Sequence, residues 1–235
     1  MKRGSNKEVR AVALLSGGLD STVSCAMAAR HWRPEAAVFF DYGQRARVRE
    51  DAAVRGIAER YGLEMVRVEL PWLGAISRSV LIEGRSILPK HDPGEPDAAG
   101  TERPGAVWVE NRNAVFINIA AAIAVARGCE IVVVGFNREE AVAFPDNSTE
   151  FVERINGSLE LSAGRPVRVE SPTLPLTKKE IVREGLSLDI PWHLIWSCYG
   201  GEELMCGVCG SCMRLRRAIV GTPVERRFRF TRSEA

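Results

Sequence analysis

Apolar residues recur along the chain in two alternating patterns. Short apolar runs have strand length and composition: about 9–15, AAVFFDY (36–42), LEMVRVEL (63–70), EIVVVGFN (130–137) and VRVESP (167–172). Longer stretches between them place apolar residues three and four apart, as a helix packed on one side requires. The spacing predicts a helix from about 20 to 31 and another over 44–62, with Ala52, Val54, Ile57 and Ala58 on its apolar side. It predicts three more over 112–128, 146–164 and 176–186. Gly128 ends the first of these, Asp146 or Asn147 caps the second, and Thr177 with Glu180 spells a capping box for the third. Strands alternating with helices imply an α/β fold, a doubly wound parallel sheet covered on both faces.

Two stretches leave this rhythm. Residues 84–106 hold four prolines and four glycines, and two readings stand, a lid over a site or plain disorder. From Pro191 onward the chain carries four of its six cysteines within fifteen residues: Cys198, Cys206, Cys209 and Cys212. The division expected is an α/β domain over 1–190, with 84–106 as its lid loop, and a metal-binding segment over 191–235 packed on it.

Composition narrows the partners. With 32 basic and 30 acidic residues the net charge is +2, too small a field to hold nucleic acid or an anionic membrane. No apolar run reaches the ~18 residues of a membrane span, and no hydrophobic region long enough for a signal peptide follows the basic start MKRGSNKEVR. The expectation is a soluble, cytoplasmic protein. Clustered cysteines in that setting point to a metal rather than disulfides. Four thiolates close a tetrahedral zinc site with no open position, so a structural zinc is expected; free thiols or an iron–sulfur cluster are the alternatives. Cys25 and Cys129 fall on helix and strand patterns and read as core.

The chemistry starts at AVALLSGGLDST (11–22), a strand that enters a glycine-rich turn and leaves as a helix. Backbone N–H groups of such a turn and the helix N-terminus bind phosphate. The lysine of the usual triphosphate loop is missing. Asp20 reads as a magnesium partner, while Ser16, Ser21 and Thr22 offer hydroxyls. Asp41, Tyr42, Gln44 and Arg45 follow the second strand, at the sheet edge where ligands sit; a plain strand end is the alternative. Lys178 and Arg112 are the cations placed to stabilise phosphate or carboxylate charge, each with a surface cation as alternative. His31, His91 and His193 share no motif and read as structural or solvated, and no Ser-His-Asp or Cys-His pattern is present.

S16-G-G-L-D-S21 resembles the pyrophosphatase loop of the adenine nucleotide alpha-hydrolase superfamily, whose members adenylate an oxygen and release pyrophosphate. A loop that holds leaving pyrophosphate needs no lysine aimed at the γ phosphate. Taken with FDYGQR (40–45), N111-R-N113, F144-P-D146, S171-P-T-L-P and the cysteine tail, the chain resembles the 7-cyano-7-deazaguanine synthase family nearly end to end. The resemblance implies ATP, Mg2+ and structural Zn2+, with 7-carboxy-7-deazaguanine and ammonia as substrates and commonly a homodimer. It implies an ATP-dependent carbon–nitrogen ligase that forms an acyl-adenylate, then an amide, then the nitrile. Asp20, Ser21, Arg112 and Lys178 would be catalytic. Leu15, Ser16, Gly17, Gly18, Leu19, Asp20, Ser21, Thr22, Asp41, Tyr42, Gln44 and Arg45 would hold the nucleotide. Arg112, Asn113, Asn137, Glu140, Phe144 and Asp146 would hold the substrate. Phe39, Tyr42, Trp108, Phe144 and Trp196 are all open as the aromatic that stacks on the base.

Two positions depart from the family pattern. Glu110 stands where proline is usual, and Asn147-Ser148 where Cys-Arg is common. They leave room for a relative that stops at the amide or joins a deazaguanine acid to another amine, such as a protein terminus. A tRNA-thiolating enzyme would want a catalytic cysteine pair and a basic RNA-binding extension. The closed C-terminal cysteine set and near-neutral charge speak against it. The basic tail RRFRFTR (226–232) reads as a solvated or dimer-contacting strand.

Overall fold

The computed structural model describes residues 9–90 and 104–231. Most of the proposed lid loop, with His91, lies outside them, as do the two chain ends. The elements run β1 (Arg10–Leu14), α1 (Leu19–Ala28), β2 (Arg33–Asp41), α2 (Arg47–Tyr61), β3 (Glu64–Glu69) and α3 (Pro71–Ile76). After α4 (Pro104–Val107) come α5 (Arg112–Arg127), β4 (Ile131–Val133), α6 (Glu140–Ala143) and α7 (Thr149–Ser162). Then follow β5 (Arg168–Glu170), α8 (Lys178–Ser187) and α9 (Gly210–Ile219). The five strands form one parallel sheet in the order β3-β2-β1-β4-β5. The chain winds outward from β1 to β3, then crosses back to place β4 on the other side of β1. This is the doubly wound α/β sheet expected.

Alternation along the strands feeds a core on each face. Ala11, Ala13, Ala37, Phe39, Ile131 and Val133 point toward α1, α2, α8 and α9. Val12, Val38, Phe40, Val132 and Val134 point toward α5 and α7. Residues from the cysteine segment, among them Met205, Cys209, Leu215, Ile219 and Phe228, share the first core. Cys25 and Cys129 are buried core thiols, and burial pushes Cys25 up to about 12, leaving it inert. Among the described residues no helix is long and apolar enough to cross a membrane.

Four details differ from the sequence pattern. On α2 Ala53 is buried where Ala52 was expected, and Ala52 faces solvent. The cap of α7 is Ser148, whose side chain accepts from the Phe151 N–H at 3.1 Å; Asp146 and Asn147 form a 3-10 turn (Pro145–Asn147) before it. The cysteine segment contains a full helix, α9, with Cys212, Leu215 and Ile219 on its buried side. The tail opens as a 3-10 turn (Glu225–Arg227), with Phe228 packed edge-on against Trp192, and pairs only at Phe230, in a single parallel bridge to Met205.

Candidate active site

Ligand sites in open parallel sheets lie at the carboxyl ends of the strands, where the winding direction reverses. Here that point is between β1 and β4, and a cavity of about 290 Å³ opens there. Leu15, Ser16, Gly18, Leu19, Asp20 and Ser21 line it from the β1–α1 turn. Tyr42 and Gln44 reach it from the end of β2, Arg112 and Asn113 from the start of α5, and Lys178 from the start of α8. Glu140, Phe144 and Asp146 line it from the segment after β4.

The turn is shaped by two close approaches. Gly17 has φ +76°, and a Cβ there would stand 2.6 Å from the Ala53 Cβ. A Cβ on Gly135, just past β4, would stand 2.5 Å from the Ser21 backbone nitrogen. Both glycines press the start of α1 against its neighbours. Gly18 caps α1 with no side-chain hydrogen bond to its first turn, the arrangement an anion-binding helix start requires. The Ser16 and Ser21 hydroxyls stand 3.2 Å apart beside it.

Next to the turn sits a buried charge network. Lys178 is 7% exposed, donates to Asp20 Oδ2 and stands 3.5 Å from Glu140 Oε1. Asn137, fully buried, donates to the same Asp20 oxygen at 3.0 Å and accepts from the Glu140 N–H at 2.9 Å. Burial pulls the Lys178 ammonium down, but the Asp20 and Glu140 carboxylates outweigh it and leave it raised. Burial would raise Glu140, yet Lys178 and Arg214 hold it down at about 2. Burial raises Asp20 against the pull of Lys178. Asp20 Oδ1 is buried with no hydrogen-bond partner among the described residues. An orphaned carboxylate oxygen on the cavity wall beside a glycine-rich turn fits a divalent cation, whose ligands are oxygens of this kind.

A second lobe is aromatic. Arg112 donates to the Tyr42 hydroxyl at 3.3 Å, and Asn113 ties α5 to the Asp146 carbonyl at 3.3 Å. Trp108 and Phe144 lie nearly parallel, with centroids 5.8 Å apart. All five candidate stacking aromatics line the cavity. Phe39 and Tyr42 are only 1% and 6% exposed, and Trp196 carries Arg49 over its ring at 5.4 Å. Trp108 and Phe144 are half-buried on the cavity wall, one ring stacked on the other.

Several expected site residues stand elsewhere. Thr22 is buried and spends its hydroxyl on the Gly18 carbonyl at 2.8 Å. Asp41 pairs with Arg67 and caps Gly43 on the far side of the β2 end. Arg45 clamps the carbonyls of Val80, Arg85 and Ser86. Asn137 and Gly17 act behind the cavity wall. His31 and His193 are exposed and line no part of it. Glu110 accepts from Ser77 at 2.8 Å, outside the cavity, and Ser148 is a helix cap. Of the departures from the family pattern only Asn147 lines the cavity.

The sequence reading missed Glu50, Ser197, Tyr199, Ser211 and Arg214, all on the cavity wall. Burial pushes the Glu50 carboxyl up to about 7, although Gln44 donates to it at 2.8 Å. Nothing local marks it within the charge run RVRED (47–51). Arg214 was findable, since it lies two residues past Cys212 on a helix-spaced run.

The Sγ atoms of Cys198, Cys206, Cys209 and Cys212 all lie within 4.8 Å of one another, so the set can hold a metal ion. Four ligands at ~2.3 Å around one ion stand about 3.8 Å apart, and Cys206 and Cys212 are at 4.0 Å. A four-iron cluster would hold the sulfurs farther apart. The Gly200 and Cys206 N–H groups donate to the Cys198 sulfur, and the Cys209 N–H to the Cys206 sulfur, each at 3.3 Å. Donors of this kind stabilise thiolate.

The profile described as "Queuosine biosynthesis protein QueC" matches residues 10–221. A 7-cyano-7-deazaguanine synthase of Pelotomaculum thermopropionicum is 49% identical over 89% of this chain and 96% of its own. Enzymes of the same name from Desulforamulus reducens and Desulforudis audaxviator are each 46% identical over 89% of this chain, and 93% and 96% of their own. The chain belongs to the QueC family of queuosine biosynthesis proteins.

Proposed function

We propose that the chain is an ATP-dependent ligase that turns the carboxylate of 7-carboxy-7-deazaguanine into a nitrile, with ammonia as nitrogen donor. What carries the reading is the convergence of the S-G-G-L-D-S turn, Lys178, Arg112 and paired aromatics on one cavity, in a chain of this family. The substrate carboxylate attacks the α phosphate of ATP, and pyrophosphate leaves. Ammonia displaces AMP from the acyl-adenylate and gives the amide, losing a proton. The amide oxygen is adenylated in turn, with a second pyrophosphate released. Loss of AMP and a proton then leaves the nitrile. Each adenylation converts a poor leaving group into AMP, so no protein nucleophile is required.

In this reading the Gly18–Ser21 backbone and the Ser16 and Ser21 hydroxyls hold the leaving pyrophosphate. Lys178 and Arg112 offset charge growing on phosphate and carboxylate. Trp108 and Phe144 take the planar base, and Asp146 and Asn147 approach its polar edge. Mg2+ on the orphaned Asp20 oxygen would supply charge neutralisation to the phosphates. Zn2+ in the four-cysteine set, a homodimer and a cytoplasmic location belong to the same proposal. The departures at Glu110 and Ser148 point out of the cavity, which supports the full reaction over an enzyme that stops at the amide.

The test is incubation of purified protein with 7-carboxy-7-deazaguanine, ammonium, ATP and Mg2+, read by mass spectrometry. Nitrile with AMP is expected. Accumulating amide would mean that the second adenylation is lost, and no AMP would remove the substrate assignment.

A further inference from the structure

The metal-binding segment does more than pack against the sheet. Trp196, Ser197, Tyr199, Ser211 and Arg214, all from this segment, line the cavity beside the β1–α1 turn. Helix α9 begins at Gly210, so Cys209 and Cys212 bracket its first turn. An ion held by those thiolates fixes that turn, and Arg214 stands two residues farther along. The Ser197 and Ser211 hydroxyls, 2.9 Å apart, tie the chain before Cys198 to the same turn.

Arg214 is well placed for an anion. Its side chain is 18% exposed, it donates to the Tyr199 hydroxyl at 2.8 Å, and its Nε stands 3.5 Å from Glu140 Oε1. Lys178 stands 3.5 Å from that same oxygen. Glu140 thus stands between two cations. It holds both beside a turn built to take phosphate. A guanidinium fork matches two phosphate oxygens at once, which an ammonium cannot do.

We propose that Arg214 binds a phosphate of the nucleotide, and that the metal held by Cys198, Cys206, Cys209 and Cys212 fixes it there. The inference rests on the ATP reading above. Binding is reciprocal: if the metal orders Arg214 for the nucleotide, the nucleotide must tighten the metal.

The experiment uses holoprotein, wild type and R214Q, with α,β-methylene-ATP and Mg2+ as probe. Affinity is measured by calorimetry, metal content by mass spectrometry, and metal affinity by a chromophoric chelator. R214Q is expected to keep its metal and its affinity for 7-carboxy-7-deazaguanine while binding the probe about tenfold more weakly. Saturating probe is expected to tighten the metal roughly fivefold in the wild type, read at equilibrium against the chelator, and hardly at all in R214Q. R214K, which keeps the charge and loses the fork, is expected to fall between them. Equal probe affinity in wild type and R214Q would overturn the role of Arg214. Equal tightening of the metal in both, or in neither, would overturn the link through the metal. Failure of the wild type to bind the probe would remove the ATP reading itself.

Discussion

Lys178 and Asp20 form a buried ion pair on the cavity wall, and the proposed reaction asks chemistry of the same pair. Removing one partner of a buried pair leaves an unmatched charge, at a cost of about 3–5 kcal/mol. Lys178→Ala is therefore expected to lower the unfolding free energy by about that amount and abolish AMP formation, read by denaturant unfolding and product assay. A double Asp20→Asn, Lys178→Met variant is expected to recover much of the stability and none of the activity. Glu50 gives a pH signature. Its folded carboxyl sits at about 7 against 4.5 for the free group, because burial disfavours the charge. The folded state thus holds the proton where the unfolded state has lost it, and this contribution to stability falls as pH rises from 4.5 to 7. The difference is on the order of 3 kcal/mol above that window. Glu50→Gln is expected to raise the melting temperature at pH 8 and leave it unchanged at pH 5; an equal shift at both would contradict the burial argument. The turn, Lys178 and Arg112 were readable because their motifs are local. Glu50 and Gly135 were not. The first looks like one more charge on a helix start, and the second matters only because α1 crosses 2.5 Å from its missing Cβ.

Two helix caps separate structure from function at the next scale. Ser148 caps α7 on the far side of the sheet from the charge network, and Thr177 caps α8, whose first residue is Lys178. Each replaced by alanine is expected to cost about 1 kcal/mol. Only Thr177→Ala is expected to lower kcat as well, since it loosens the residue that carries the ammonium. Steady-state kinetics beside thermal unfolding checks both. Thr177 was legible because Glu180 completes a capping box with hydrogen bonds in both directions. Asp146, Asn147, Ser148 and Thr149 all suit a cap, so the sequence could not choose among them. The Phe144–Pro145 turn consumes the first two and leaves the task to Ser148. Helix α9 was hidden for another reason: the cysteine spacing drew attention to the metal, although Cys212, Leu215 and Ile219 repeat at helical intervals.

The whole molecule joins three distant stretches of chain at one switch point. β1 and its turn bring the glycine-rich wall, the segment from β4 to α8 brings Asn137, Glu140 and Lys178 of the charge network, and the cysteine segment closes the far wall. Sheet order follows from the alternation of strands and helices; the closing wall does not, because Arg214 and Ser211 reach the cavity only through the fold of the metal-binding loop. The proposed reaction makes a demand of this single cavity that can be measured directly. Both oxygens of the substrate carboxylate must leave on AMP, one in each adenylation. The measurement is to supply 7-carboxy-7-deazaguanine labelled with 18O in both carboxylate oxygens and read the products by mass spectrometry. The expected result is unlabelled nitrile with two AMP molecules formed per nitrile, each carrying one 18O. Label found in pyrophosphate or phosphate, or AMP formed without label, would contradict adenylation at the carboxylate.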